Sequence, residues 1–337
     1  MAVWVVTGAS GHIGANLVRL LLHRGETVRA LVHRNTAALD GLAVEQVHAD
    51  VRDEESLVAA FEGADIVVNL AARISIARHA EREVDPINVV GTGNVVRVCR
   101  QCSVRRLVHF SSIHAMAESP TGAVTDENSP LVGDDQGAAY DRSKARGESC
   151  VLEAIKDGLD AVVLAPTAVV GPYDYGPSHF GNVLLSLAHR RRPVLVDGGF
   201  DWVDVRDVVE AAVCAATTRD VSRKYILSGH WHSVMEVARM ASRFTGVPAA
   251  LFAAPRPLAR VCGSITETMC GLTGKQPLFT ACAVDALAQH PRVSHERAAL
   301  ELGYSPRPFE ETLADTYDWF MDNGYLSRGR STMRASG

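Results

Sequence analysis

The chain of 337 residues lacks most features that would place it outside the cell, in a membrane or on nucleic acid. Its seven cysteines are odd in number and show no framework spacing, which argues against a disulfide scaffold and for reduced thiols in a cytosolic protein. Cys99 and Cys102 form a C-x-x-C in an apolar helical stretch with no second ligand pair. They are expected to be helix-core thiols, with no metal. No run of about 18 uncharged apolar residues exists, so no membrane span is expected. Val261 to Leu272 comes nearest, but Arg256, Arg260 and Glu267 add charge to that region, and it reads as a helix over a substrate pocket. The first residues carry no basic segment and pass straight into a strand pattern, unlike a signal peptide. There is no basic stripe, and the net charge is -5, so no nucleic-acid partner is expected. There is no internal repeat.

What remains is an ordinary globular composition, 47% hydrophobic and 22% charged, long enough for one large or two medium domains. Val3 to Thr7 is a short β-branched run, read as a buried parallel strand. Gly8, Ser10, Gly11, His12, Ile13 and Gly14 follow at once, and a helical pattern opens behind them. Strand, glycine loop and helix in that order form a phosphate site. The first glycine permits the tight turn, the second lets backbone approach a pyrophosphate, and the third lets helix and strand pack closely. Amides at the helix N-terminus then bind the anion.

Thr27 to Val32 is the second strand. Its end, about 20 residues past the glycine loop, is where an acid would bind the ribose 2′-hydroxyl of NAD and a base the 2′-phosphate of NADP. The residues there are His33 and Arg34, with no acid until Asp40, which favours NADP(H) over NAD(H). A third strand, Val44 to His48, leads to Asp50 and Val51, where the carboxylate is placed to accept from the adenine amino group. Further strands at 65–70 and 105–111 alternate with helices at 54–61 and 85–102. Leu70, Ala71 and Ala72 leave room for a cofactor to pass. The alternation implies an α/β fold with a doubly wound parallel sheet and ligands at the carboxyl ends of its strands.

Ser112 lies at such an end. Glu118 to Gly137 reads as a long loop, and a helix over 139–156 carries Tyr140 and Lys144. Four residues apart, the two share a helix face. The ammonium favours the phenolate and draws the phenol, normally near pH ~10, toward a useful range. By itself Y-x-x-x-K is common in helices; its weight comes from the motifs around it. After a sixth strand at 161–165, Pro166 and the Gly171-Pro172 loop, the rhythm changes. Helices at 182–189, 207–217, 233–245, 258–272, 294–302 and 309–323 and short strands at 193–196, 202–205 and 225–227 suggest a smaller, mostly helical C-terminal substrate lobe. The expected organisation is a dinucleotide-binding domain over 1–165, with 201–217 returning to it, a substrate lobe over 166–325, and a frayed tail over 326–337.

Assembled, these residues resemble the extended short-chain dehydrogenase/reductase family over roughly 2–325. The carriers are Thr7 to Gly14, Asn69 to Ala72, Asn88 to Thr92, Ser111-Ser112, Tyr140 to Lys144 and Trp202 to Asp207. The resemblance implies a catalytic group in which Ser112 bonds the substrate carbonyl, Tyr140 carries the proton, and Lys144 binds the nicotinamide ribose and tunes Tyr140. Ser111 is the alternative to Ser112, but it points to the other face of the strand. Asn88 matches a position near the cofactor, and a buried structural asparagine is the competing reading. Pro166 follows Ala165, where relatives often have Arg.

Two branches of the family compete. One, like dihydroflavonol reductases and 3β-hydroxysteroid dehydrogenases, reduces ketones or aldehydes. The other epimerises or dehydrates nucleotide sugars and clamps the diphosphate with an Arg just before Asp201. Phe200 stands there, and a phenyl ring has no bidentate donors. Arg190 to Arg192 offer charge for a phosphate but read better as a solvated helix end. The expectation is therefore an NADP(H)-dependent oxidoreductase acting on a small, largely apolar carbonyl or alcohol. The alternatives are an epimerase/dehydratase with tightly held NAD and an NADP-sensing binding protein. Relatives of that last kind generally lose the Tyr/Lys pair. By resemblance only, helices 85–102 and 139–156 offer a homodimer face.

Overall fold

Buried β-branched runs and amphipathic helices take turns along the first two thirds of the chain. A computed structural model describes residues 2–33, 36–118, 123–189, 195–250, 253–263 and 280–327. The strands and helices begin β1 (Val3–Thr7), α1 (His12–His23), β2 (Thr27–Val32), β3 (Glu45–His48), α2 (Glu54–Phe61) and β4 (Ile66–Asn69). They continue with α3 (Glu81–Asp85), α4 (Thr92–Gln101), β5 (Arg106–Phe110), α5 (Ala139–Lys156) and β6 (Ala161–Pro166). Next come β7 (Ala168–Val170), α6 (His179–Ala188), β8 (Leu195–Val196), β9 (Gly199–Asp204), α7 (Val205–Thr217) and β10 (Lys224–Leu227). The described chain ends with β11 (His230–Ser233), α8 (Val234–Thr245), β12 (Ala253–Ala254), α9 (256–263), α10 (Ala281–Ala286), α11 (Glu296–Leu302) and α12 (Phe309–Asp322).

Seven strands form one parallel sheet in the order β10-β6-β5-β4-β1-β2-β3. The order turns back between β1 and β4, and that reversal opens a crevice at their carboxyl ends. One face packs α1 and α7 through Leu17, Leu21, Val208 and Ala212; the other packs α2, α4 and α5 through Leu57, Phe61, Val95 and Val151. Covered on both sides, the central strands are buried throughout and mostly apolar. The fold is the doubly wound α/β fold expected from the alternation.

Past β6 the chain builds a second layer. Strands β11-β9-β7 form a three-stranded sheet, and α6, α8 and α12 close over it around Trp202, Phe309, Tyr317 and Phe320. Strands β7, β11 and β12 are two to four residues long, too short for an alternating pattern to show in sequence. The helix expected over 85–102 runs on from α3 and carries a π turn. Pro86 has no amide to donate to α3, and the π turn over Pro86–Gly91 precedes α4. Gly91 then lies against Val51, where a Cβ would come within 2.7 Å of the valine Cγ2. Helix α9 covers only the start of the expected 258–272 helix; the remainder, Arg190 to Arg192 and most of the tail lie outside the described residues.

Candidate active site

The crevice is first closed by glycine. Gly8 has φ +65, and a Cβ on it would stand 2.9 Å from the backbone of Leu70 and Ala71. A Cβ on Gly14 would meet the Gly8 carbonyl at 2.3 Å. The first glycine thus lets the loop pass the end of β4, and the third lets α1 sit on it. Thr7 locks the same corner. Its Oγ1 donates to Asn69 Oδ1 (2.7 Å) and accepts from the amides of Leu70 and Ala71 (both 3.1 Å). Asn69 Nδ2 donates to His109 Nδ1 (3.2 Å), so the ends of β1, β4 and β5 are tied together.

Across the crevice, Ser112 follows β5, and its Oγ accepts from the His114 amide (3.2 Å). Tyr140 and Lys144 come from the first turns of α5, whose entry is fixed by Asp141 Oδ2 accepting from the Ala138 amide (2.9 Å). The Ser112 side chain lies close enough to the Tyr140 hydroxyl to favour its ionised form. Lys144, 5% exposed, donates from Nζ to the Phe110 carbonyl (2.6 Å). Burial pushes the Tyr140 phenol up to about 12; the Ser112 hydroxyl opposes this and the Asp141 charge adds to it. Burial also pulls the Lys144 ammonium down to about 8, against the Glu148 carboxylate, which favours its charge. The spacing alone predicts a phenol drawn toward neutrality by its lysine. Here desolvation is the larger effect, because both groups sit under protein rather than on an exposed helix face.

Both walls open on one cavity of about 1080 Å³. Gly8, Gly11, His12, Ile13 and Gly14 line one side of it, and Ser112, Tyr140 and Lys144 the other, with Leu70, Ala72 and Pro166 between. Ile74, Ile76, Val169, Phe180 and Phe200 supply apolar surface, and α9 and α10 reach over the top. Phe200 stands edge-on to Phe180 and Trp202, inside an aromatic cluster. Gly8, Gly11, Gly14 and Ala72 meet the cavity with little or no side chain, which suits the close passage of a dinucleotide. Among the described residues no cluster of His, Cys, Asp and Glu is arranged to hold a metal. Among those residues, too, no helix is long and apolar enough to cross a membrane.

Other expected cofactor residues sit around this cavity rather than on it. Ser10 lies in the loop, and Ala71 is fixed by Thr7. Asp50 is chelated by Arg52 through Nε (2.9 Å) and Nη2, with His33 Nε2 at 3.5 Å. Arg52 holds the carboxyl down to about 2. His33 is half exposed at the end of β2, and Arg34 lies outside the described residues. Val51 packs beneath the π turn. Asn88 is 2% exposed and faces no part of the cavity. It accepts from the Arg73 amide (2.8 Å) and donates to the Arg73 carbonyl (2.9 Å) and Ser143 Oγ (2.8 Å), clamping loop to helix. Ser111 also lines the cavity, but its hydroxyl donates to Glu148 Oε2 (2.5 Å). Cys99 is fully buried, and burial pushes its thiol up, as suits a helix-core cysteine.

Sequence reasoning passed over several groups. His114 lines the cavity edge-on to Tyr140, their ring centroids 6.3 Å apart. His179 and Arg78 also line it. His109, 2% exposed, is held neutral by burial and by Lys144, and its Nε2 has no partner among the described residues. Glu148 is four residues past Lys144, so the spacing that paired Tyr140 with Lys144 also announces it. Lys224 on β10 had no signal.

Comparison with known proteins bears on this geometry. The model of the NAD dependent epimerase/dehydratase family matches residues 4–227. The chain is 36% identical over 327 residues to sterol demethylase protein B of Methylococcus capsulatus, covering 96% of this chain and 99% of that protein. It is 30% identical to a putative dihydroflavonol 4-reductase of Synechocystis over 95% of each. The crystal structure of gox2253 superposes with a TM-score of 0.84 at 28% identity, covering 97% of this chain and all of the other. The chain therefore belongs to the NAD-dependent epimerase/dehydratase family, as an NAD(P)-dependent oxidoreductase of the extended short-chain dehydrogenase/reductase type.

Proposed function

We propose that the protein reduces a ketone or aldehyde on a largely apolar substrate, or oxidises the corresponding alcohol, with NADP(H). The observation that carries the reading is the placement of Ser112, Tyr140 and Lys144 on one wall of a cavity whose opposite wall is the glycine loop. The nicotinamide would supply or accept the hydride. Gly8 to Gly14 hold the pyrophosphate, and Leu70, Ala72 and Pro166 flank the path toward the nicotinamide. Ser112 donates to the substrate oxygen and keeps it beside the Tyr140 hydroxyl. Tyr140, protonated at neutral pH with its phenol near 12, delivers its proton to that oxygen as negative charge develops there. Lys144, with a midpoint near 8, is mostly cationic at pH 7 and steadies the phenolate left behind. That resting protonation favours reduction over oxidation.

Substrate class follows from the walls. Phe200, packed on Phe180 and Trp202, offers ring faces to an apolar body and no donors to a diphosphate. The names of two relatives, a sterol demethylase component and a dihydroflavonol reductase, point to fused-ring substrates in those proteins. The NADP preference rests on the end of β2. His33 stands there, and the nearby Asp50 is neutralised by Arg52, leaving no free carboxylate to repel a 2′-phosphate. NADPH and NADH oxidation against ketosteroids, flavonoid-like ketones and aromatic aldehydes tests all of this. Turnover preferring NADPH and lost in Tyr140→Phe supports the reading. Turnover of a UDP-sugar with cofactor retained, and no carbonyl reduction, replaces it with an epimerase.

A further inference from the structure

The chain contains four lysines, Lys144, Lys156, Lys224 and Lys275, among 34 basic residues, so arginine serves almost everywhere else. Of the three among the described residues, two are buried, Lys144 at 5% and Lys224 at 7% exposure, and both answer to one carboxylate. Glu148, wholly buried, lies one turn beyond Lys144 on α5 and favours that lysine's charge. Its Oε1 is 2.5 Å from Lys224 Nζ, which reaches across from β10, and its Oε2 accepts from Ser111. The approach of Lys224 is off the line of a directed hydrogen bond, so the contact is ionic.

We propose that Glu148 and Lys224 are positioning residues for the reaction: the carboxylate acts on Lys144 from below the site, and Lys224 and Ser111 hold that carboxylate in place. A buried ion pair is a poor device for stability, since desolvation offsets much of its attraction. This one is wired to the residues behind Ser112 and Lys144, is almost wholly buried, and does not line the cavity. Lysine suits the task because a buried ammonium changes its proton affinity with its surroundings, whereas a guanidinium stays charged. The other charged or titratable groups facing this cluster are few. His109 of β5 faces Lys144 and is neutral; Asp141 and His114 flank Tyr140 at the cavity side. The inference rests on Tyr140 and Lys144 being the proton pair proposed above.

The test reads Lys144 directly. With four lysines, lysine-labelled ¹³C NMR resolves each Cε, and Lys144→Met assigns the one of interest. Removing the anion in Glu148→Gln lowers the Lys144 midpoint, and removing the cation in Lys224→Met raises it, each by about 0.5–1 pH unit. Lys224→Arg leaves it unchanged, and the double variant Glu148→Gln/Lys224→Met returns it toward the parent. A neutral pair is a tolerated replacement for a buried ion pair, so the double variant and Lys224→Met carry the test if Glu148→Gln does not fold. A structural role alone would lower yield or melting temperature in both single variants and move neither midpoint; that result overturns the proposal. The alkaline limb of NADPH oxidation shifts in the same two directions. If Tyr140→Phe keeps full activity, the functional reading fails. If Tyr140→Phe is inactive while the midpoints stay put, only the positioning role falls.

Discussion

The two halves of the pocket are built from different materials. Below, the parallel sheet and its helices pack aliphatic side chains, and their regular spacing reflects regular strands and helices. Above, the covering lobe gathers half of the chain's Phe, Trp and Tyr residues around short strands and irregular turns. Aliphatic side chains fill the gaps of a repeating layer. Aromatic rings fill large, irregular volumes with few residues, and they leave ring faces for an apolar ligand. On the function proposed above, the lower half takes the dinucleotide and the upper half selects the substrate.

The comparison can be broken most sharply at the lower wall. Tyr140→Phe should lower turnover by a factor of about 10²–10⁴ while leaving dinucleotide affinity nearly unchanged, as measured by NADPH oxidation beside calorimetric titration. Unaltered turnover would remove the proton donor from the scheme. Gly14→Val should have the opposite signature, a loss of dinucleotide binding and of folded protein, because its side chain has no room against Gly8. Retained tight binding would mean the loop is not the cradle.

Stability probes sharpen the contrast in materials. Trp202→Ala should cost about 3–5 kcal/mol and Leu107→Ala about 2–5 kcal/mol in urea unfolding. Only the first should also weaken binding of an apolar ligand, since Trp202 supports Phe200 and Phe180. Equal effects on ligand binding would erase the distinction between the halves.

The bridge between the halves gives a pH signature. Buried His290, near the lobe, shares a hydrogen bond (3.0 Å) with Thr125 in the loop before α5, and burial lowers its imidazole to about 4. Unfolded, it titrates near its ordinary 6.5. Between those values the unfolded chain binds more protons, so stability present above pH 6.5 is lost as pH falls toward 4. His290→Gln should remove about 3 kcal/mol of that loss from denaturation curves. A slope as steep as the parent's would assign the effect to His109 and the other lowered histidines. The smallest effect should come from Arg24→Ala, which breaks the exposed pair with Glu210 between α1 and α7 and should change stability by under about 1 kcal/mol.

Much of the lower half was legible because its signals are local. The helices over 54–61 and 139–156 fall where the pattern put them, and the glycine loop follows its strand as the motif requires. What was not legible depends on distant parts meeting. Nothing near Lys224 in sequence points to Glu148, which is 76 positions earlier, and only the pairing of β10 with β6 brings them together. Asn88 reads equally as a cofactor or a structural residue until its partners on Arg73 and Ser143 are seen. The phenol's rise was illegible for the same reason: spacing reports neighbours on one helix, not how much protein covers them.

Between β6 of the large sheet and β7 of the small one stands a single residue, Thr167, whose hydroxyl donates to Asp201 Oδ1 (2.7 Å). A chain that steps from one layer to the next in one residue has no slack at that point. The two layers are spliced rather than hinged, and the wall carrying Pro166, Thr167 and Val169 keeps its shape whatever lies against it. Helices α9 and α10 line the same cavity through Arg256, Arg260 and Val284. The wall at Thr167 is thus a splice shared by two sheets, the large one ending in Pro166 and the small one starting at Ala168.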